Sequence, residues 1–419
     1  MGSDYVAHQR GTGRKLRRLV PLALGLVWAA LLAGPALAQT PKASGPAAAA
    51  GDWREWFTLL PKVAEQWEVA PAAGPGKRIE IRHKGDYPAG ATVKNVVVLF
   101  AKKSSAYDTA MAKILAIFEE KKLPARFIVV NFENKPELGH EVLATAQRLG
   151  RDLLYSMGSD STTFVHEHFR GAPIPVVSVC SKDPVQMGMM PGYESGSGTN
   201  IAYTSLDAPI KVQMAYLLEF RPQLKTIAVL YDRKNVSAVT TQVEPLRKLA
   251  TEQNIRMIDV AVEDPKKAKE ELAQRVPEAV ARIRRSDPGA ERTVFWITGS
   301  TEVFREIATI NQHAWKVPVL SVVPDVVKEG PDSALLSIGV SFESNAHLAA
   351  VYGVRILMGE VKPADLKVGV VSPPDIALNF FVARENGIKV PFSFIESASF
   401  VYDHHGRLVR ENGLLVTQR

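Results

Sequence analysis

The loops richest in polar side chains follow apolar segments of strand length. Residues 157–163 alone contain four hydroxyl side chains, just before a helical stretch. Hydroxyls and the free N–H groups of a helix's first turn donate hydrogen bonds, so this arrangement is typical of a site for a polar or anionic group. Ser, Thr, Asp and Asn are also the preferred helix N-caps, and capping alone is the alternative for each loop. The candidate ligand-binding residues in these loops are Ser104, Ser105, Ser159, Ser161, Thr162, Asp183, Tyr231, Asn235, Thr298, Ser300 and Asp325.

One pattern could hold a metal, and no pattern indicates catalysis. His166-Glu167-His168 falls in a predicted helix, where side chains two positions apart point to different sides, whereas zinc-binding pairs use a spacing of four or lie on strands. We therefore predict an exposed helix surface there. The sequence lacks a phosphate-binding GxxxxGK[ST] loop, a GxGxxG turn opening a βα unit and a GxSxG nucleophile elbow. These observations predict a protein that is not an enzyme and has neither a metal nor a cofactor.

The elements that must position the loops alternate regularly. Apolar runs of strand length occur at 95–100, 126–132, 152–156 and 174–180, and again at 226–231, 256–262, 293–298, 317–322 and 335–340, with helical stretches between them. Nearly continuous apolar strands separated by helices indicate parallel sheets that are covered on both faces. The sequence therefore predicts an α/β protein with two Rossmann-like lobes. Ligands of such sheets bind beyond the carboxyl ends of the strands, here in the cleft between the lobes.

The N-terminus has the features of an export signal. A basic cluster at 14–18 precedes an apolar run of about 14 residues, shorter than the roughly 20 that span a bilayer, and Ala36-Leu37-Ala38 follows. We predict a signal peptide over 1–38, cleaved after Ala38, and a periplasmic protein; an uncleaved anchor is the alternative. The single cysteine, Cys180, is far from the cleavage site, so no lipoprotein anchor is expected. Removing residues 1–38 lowers the net charge from +7 to +3, which gives no indication of a nucleic-acid partner.

The remaining segments precede and follow the two lobes in the sequence. In the leader, 39–90, the spacing of Trp53, Trp56, Phe57 and Leu60 predicts an amphipathic helix that packs on the protein's own surface or docks on a partner. We expect the N-terminal lobe to comprise 91–203, completed by part of 320–398, and the C-terminal lobe to comprise 204–338. Residues 399–419 are predicted to form a hairpin or tail, because a Gly-containing turn at 403–406 separates two short apolar runs.

Several ordered segments resemble one family of binding proteins. These include the strand and Asp-Pro turn at 175–184, the Asn-Ile segment at 200–201, the helix-Pro-strand entry at 217–231 and the closing segment at 379–391. From about residue 95 to 391 the chain resembles the solute-binding proteins of ABC importers, in the group typified by tryptophan- and phenylalanine-binding proteins. The resemblance implies a fold like that of type I periplasmic binding proteins, with two lobes joined by a hinge. We place the crossing segments near 180–203, 321–324 and 339–342.

The resemblance also implies a function and partners. A monomer would bind an amino acid or similar small organic solute and deliver it to the permease and ATPase subunits of a membrane complex. A ligand carboxylate would sit near 159–162, and an ammonium would pair with Asp183, Asp232 or Asp325. Tyr107, Phe132 or Tyr231 would supply an apolar wall. The alternative is a ligand-sensing periplasmic subunit that docks on a membrane receptor kinase through the aromatic leader helix.

Overall fold

The computed structural model describes residues 52–74 and 76–416. The expected signal peptide, its cleavage site and residues 39–51 lie outside this part of the chain. Among the described helices, none combines the length and the apolar character needed to cross a membrane.

Strands and helices alternate over residues 94–179 and again over residues 226–321. The strands are β1 (Trp67–Pro71), β2 (Lys77–His83), β3 (Lys94–Phe100), β4 (Ala125–Asn131), β5 (Leu153–Met157), β6 (Val176–Val179), β7 (Ile201–Ala202), β8 (Thr204–Ser205), β9 (Thr226–Asp232), β10 (Arg256–Val262), β11 (Thr293–Ile297), β12 (Val319–Ser321), β13 (Leu336–Gly339), β14 (Gly369–Val370), β15 (Asp375–Asn379), β16 (Phe400–Tyr402), β17 (Leu408–Glu411) and β18 (Leu414–Leu415). The helices are α1 (Pro61–Ala64), α2 (Ser105–Glu120), α3 (Pro136–Arg148), α4 (Ser159–Phe169), α5 (Ile210–Phe220), α6 (Val236–Ala238), α7 (Glu244–Glu252), α8 (Ala268–Ser286), α9 (Thr301–Phe304), α10 (Ile307–His313), α11 (Phe342–Leu357), α12 (Phe380–Glu385) and α13 (Phe392–Ser397). Short 3-10 turns lie between several of them, and a π-helical turn, Val239–Val243, joins α6 to α7.

The first lobe is built on a seven-stranded sheet. Its order is β1-β2-β4-β3-β5-β6-β7, with β3 to β7 parallel and β1 and β2 antiparallel at one edge. The central strand β3 is buried from Val96 to Phe100, as expected for a strand that helices cover on both faces. Helices α2, α3, α4 and α11 pack on this lobe.

The second lobe repeats the arrangement in a nine-stranded sheet. Strands β10-β9-β11-β12-β13 are parallel, and β15, β16, β17 and β18 extend the sheet beyond β13. Strand β15 runs antiparallel to β13, and β16 pairs antiparallel with β17 across the turn at 403–406. In both lobes the first parallel strand lies between the second and third, which leaves a crevice at the carboxyl ends of the sheet.

Three segments connect the lobes. The chain leaves the first sheet after β7 and enters α5, returns after β13 into α11, and leaves again between β14 and β15. Strands β8 and β14 lie on two of these passages and pair with each other in a small parallel sheet. The expected crossing at 321–324 is wrong, because β12 and β13 on either side of it are neighbours in the same sheet. Most of the expected crossing at 180–203 is wrong for the same reason, since β6 and β7 are neighbours in the first sheet and the chain leaves that sheet only after β7. The strand pattern could not separate a turn within a sheet from a passage between sheets.

The aromatic leader is not an amphipathic helix. Trp53–Glu55 forms one 3-10 turn, α1 is four residues long, and Trp67 begins a strand of the first sheet. Trp56 and Phe57 are buried in the core, and Trp56 packs on Phe100 with ring centroids 5.9 Å apart. A helix this short has little stability of its own, so contacts with the lobe decide its conformation.

Candidate ligand-binding cleft

A cavity lies between the carboxyl ends of the two sheets. It has about 610 Å³ of empty space, part of it open to solvent. Loops of both lobes line it, each at the end of a parallel strand or at the start of the helix that follows. The lining residues from the first lobe include Lys102, Ser104, Tyr107, Ser159, Asp160, Cys180 and Lys182, and those from the second lobe include Asn235, Ser237, Gly299, Thr301, Phe304, Val322 and Val340.

The first turn of α4 forms one wall of the cavity. Gly158 precedes the helix with a φ of 84°, and no side chain caps the N-terminus there. A Cβ atom at this position would overlap the hydroxyl of Tyr107, so only glycine allows that ring to lie beside the helix start. Ser159 and Asp160 line the cavity from this turn, whose first N–H groups have no partner within the helix.

A buried polar network lies next to this turn, where the Lys182 backbone N–H donates to Ser159 Oγ at 3.0 Å. Lys182 Nζ lies 3.2 Å from Asp207 Oδ1, and the two side chains are 6% and 3% exposed. Gln242 Nε2 donates to the same oxygen at 2.5 Å, and the Gly299 N–H donates to Gln242 Oε1 at 2.7 Å. Gln242 belongs to the π-helical turn, a distortion that occurs often at functional sites. The network links a loop of the first lobe and a crossing segment to the π-helical turn and one loop of the second lobe.

Gly299 makes room for the lysine of this network. A Cβ atom at position 299 would overlap Lys182 Nζ and would lie 3.3 Å from Gln242 Nε2. The ammonium group of Lys182 therefore lies directly against the backbone of the second lobe, at the edge of the cavity.

A second ion pair lies nearer to solvent. Lys102 Nζ is 2.9 Å from Asp160 Oδ2, and the side chains are 46% and 45% exposed. Water screens a pair of this exposure, so its contribution to stability is small.

Apolar side chains cover much of the remaining lining. They are Leu206, Phe304, Val322, Val323, Val340 and Phe342. Cys180 also faces the cavity, and burial raises the pKa of its thiol, so the group stays protonated and is a poor nucleophile. The cavity combines hydrogen-bond donors from both lobes with an apolar surface.

Three of the eleven candidate residues line this cavity: Ser104, Ser159 and Asn235. Ser105 is exposed at the first position of α2 and does not line it. Ser161 and Thr162 are buried inside the first lobe, where Ser161 donates to the Leu99 carbonyl at 2.7 Å and Thr162 bonds to Ser156. These two hydroxyls stabilise the lobe's interior instead of facing the cleft.

The other five candidates do not line this cavity. Asp183 accepts hydrogen bonds from Val185, Gln186 and Tyr193, and Tyr231 lies beside Asp259 and Arg233. Thr298 and Ser300 are buried and bond to Leu230 and Asp232. Asp325 is exposed and accepts from the Phe342 N–H at 3.2 Å. Of the suggested apolar residues, Tyr107 lines the cavity.

The sequence did not single out the residues of the buried polar network. Lys182, Asp207 and Gln242 come from three separate segments, and only the fold brings them together. Lys182 stands next to the candidate Asp183, in a loop that follows a predicted strand. Its position just after that strand was the one sequence feature that could have identified it.

Only part of the segment His166-Glu167-His168 on α4 is exposed. His166 is partly buried, and its Nδ1 lies 2.6 Å from the Tyr203 hydroxyl; this corrects the expectation that it is exposed. His168 is exposed and packs edge-on against His140. Within residues 52–74 and 76–416, no three potential ligand side chains cluster in a way that could hold a metal ion.

Fold and cleft together define a two-lobed binding protein like the type I periplasmic binding proteins. The family described as ABC transporter substrate binding protein matches residues 131–401, and the chain belongs to this family. No curated protein sequence matches the chain.

Solved structures share the fold at low sequence identity. A conserved domain protein from Vibrio cholerae is 18% identical, with a TM-score of 0.59 over 74% of this chain and 99% of that one. An ABC domain from Streptococcus pneumoniae in complex with L-Trp is 20% identical, with a TM-score of 0.56 over 74% and 100%. A ligand-free, open substrate-binding protein with adhesive properties from Clostridium difficile is 19% identical, with a TM-score of 0.56 over 73% and 98%.

Proposed function

We propose that this chain is the solute-binding component of an ABC importer and carries a small organic molecule to the permease and ATPase subunits. The observation that supports this most directly is the cavity between the lobes, with hydrogen-bond donors and apolar side chains from both. Family membership supports the transport role. The L-Trp held by the Streptococcus pneumoniae structure supports an amino acid or a similar small organic solute as the ligand.

Binding works through closure of the lobes. A ligand that contacts loops of both lobes makes all its contacts only when the lobes are close together. It therefore stabilises the closed state. The permease then distinguishes loaded from empty protein by the relative position of the lobes. No catalytic step is needed, and the chemistry is confined to hydrogen bonds and apolar contact.

The proposal includes export and a monomeric state. The N-terminal 38 residues would direct secretion, and the mature protein would begin at Gln39 in the periplasm. The intact mass of protein recovered from the periplasmic fraction tests this directly. A mass that retains residues 1–38 would contradict cleavage after Ala38.

A thermal-shift screen tests the binding function. Amino acids, small carboxylates, nucleosides and sugars are each added to the purified protein. A ligand that binds only the native state raises its stability by about 2.7 kcal/mol at a hundredfold excess over Kd. We expect one chemical class to give this shift. The absence of a shift with every class would contradict a solute-binding role.

The structure does not support the alternative in which the aromatic leader docks on a receptor kinase. It required an exposed aromatic helix, and Trp56 and Phe57 are 5% and 2% exposed within the first lobe.

A further inference from the structure

The lining of the cavity between the lobes contains two lysines and a single carboxylate. Asp160 is the one carboxylate among the residues that line it, and Lys102 pairs with it at 2.9 Å. The Asn235 side-chain oxygen accepts from Ser237 Oγ at 2.9 Å and from the Ala238 N–H at 3.1 Å. An ammonium group entering this space would meet one carboxylate in the lining, and that carboxylate is already paired with Lys102.

The donors, in contrast, lie close together in two neighbouring loops of the first lobe. Lys182 Nζ carries three N–H donors, and among the described residues Asp207 accepts the only hydrogen bond from it. Ser159 Oγ accepts from the Lys182 backbone N–H at 3.0 Å, which leaves its own O–H free to donate. Both residues line the cavity, beside the uncapped first turn of α4.

These donors are held in place before any ligand arrives. The Lys182 side chain is 94% buried, fixed by Asp207 and lodged against Gly299, so its ammonium group cannot swing away into solvent. A helix N-terminus and a buried ammonium aimed at one space together favour a negatively charged group. The remaining lining, with Phe304, Val322 and Phe342, suits an apolar body.

We propose that the ligand is a small carboxylic acid with an apolar body and no α-ammonium group. Its carboxylate binds between Lys182 Nζ, the Ser159 hydroxyl and the first N–H groups of α4, and its hydrocarbon part lies on the apolar wall. This inference rests on the proposed solute-binding function and narrows its ligand class. The carboxylates suggested as partners of an ammonium, those of Asp183, Asp232 and Asp325, do not line this cavity.

Matched ligands test the proposal by isothermal titration of the full chain at pH 7. The first set is 3-phenylpropanoate, its amide and phenylalanine; the second is 4-methylpentanoate, its amide and leucine. We expect the acid of at least one set to bind, with the amide and the amino acid weaker by about tenfold or more, as for the loss of one charged hydrogen bond or the burial of an unpaired ammonium.

A variant assigns the effect to the lysine. Lys182→Gln should reduce the ratio of acid to amide affinity to about one, while Lys367→Gln, at an exposed pair with Glu194, should leave the ratio unchanged. The double variant Lys182→Gln/Asp207→Asn removes both charges of the pair, so it gives the same readout if the single variant does not fold. An acid preference that persists in both variants would overturn the role of Lys182.

The outcomes separate the two levels of inference. Tighter binding of either amino acid than of its acid overturns the ligand class and leaves the solute-binding function intact. The same holds if only a sugar or nucleoside from the wider screen binds. If no compound of any class binds, the function itself is contradicted.

Discussion

The side-chain amide of Gln242 donates a 2.5 Å hydrogen bond to Asp207, and this contact links the second lobe to a segment that crosses between the lobes. Asp207 also accepts from Lys182 Nζ at 3.2 Å and from the Asp183 N–H at 3.0 Å. One carboxylate therefore connects the first lobe's cleft loop to the second lobe. These hydrogen bonds hold the loops of the two lobes together beside the cavity.

Removing this carboxylate should destabilise the protein strongly. Asp207→Asn leaves the buried ammonium of Lys182 without its counter-charge, and the loss of one partner of a buried pair costs about 3–5 kcal/mol. Urea unfolding measures the difference. Asp160→Asn is the matched control, because its pair with Lys102 is about half exposed and such pairs contribute about 0–1 kcal/mol. Equal losses in the two variants would contradict the role of burial.

Enlarging Gly299 should disturb the same network. In Gly299→Ala the added methyl overlaps Lys182 Nζ, and such overpacking costs about 1–3 kcal/mol. Ligand affinity should fall as well, since the displaced ammonium no longer faces the cavity as before. Gly192→Ala serves as the control: its Cβ would enter open space, and we expect a change within about 0.5 kcal/mol. Thermal unfolding and ligand titration of both variants provide the comparison.

The protein should lose stability when the pH falls below about 6.5, the pKa of an unperturbed histidine. Burial lowers the pKa of His166 in the folded state, so the unfolded chain binds a proton more readily over this range. Protons then favour unfolding, and stability is lost as the pH falls through the ordinary value toward the lowered one. His347, whose pKa burial also lowers, adds to the same trend.

His166→Gln should flatten this part of the pH profile. The measurement is the unfolding free energy between pH 5 and pH 8 for the wild type and the variant. His405→Gln, at an exposed turn in the C-terminal tail, is the control and should keep the wild-type slope. An unchanged slope in His166→Gln would assign the acid sensitivity to other groups.

The leader should behave as part of the first lobe's core. Trp56→Ala removes a buried ring that packs on Phe100, and large-to-small changes of this kind cost about 3–5 kcal/mol. Trp53→Ala, at a partly exposed ring beside Arg54, should cost distinctly less. Chemical denaturation of the two variants provides the test. If Trp56→Ala left stability unchanged, the segment would not belong to the core.

The fold class could be predicted from local patterns. Nearly continuous apolar runs such as that of β3, alternating with helical stretches, indicate covered parallel sheets wherever they occur, and the two-lobed α/β prediction is confirmed. The helical spacing of Trp53, Trp56 and Phe57 was misleading, because a short segment follows its tertiary contacts. Here the Thr58 N–H bonds to Asp108, and Trp56 packs on a strand.

The sequence by itself determined which loops end at the cleft, because the carboxyl ends of parallel strands share one edge of a sheet. Ser104, Ser159 and Asn235 follow from that rule. Only the tertiary structure decided which polar side chains in those loops face the cavity and which, like Ser161, bond inside a lobe. Lys182, Asp207 and Gln242 are up to 60 residues apart, and no local periodicity encodes a contact between them. Their association depends on how the crossing segments set one lobe against the other.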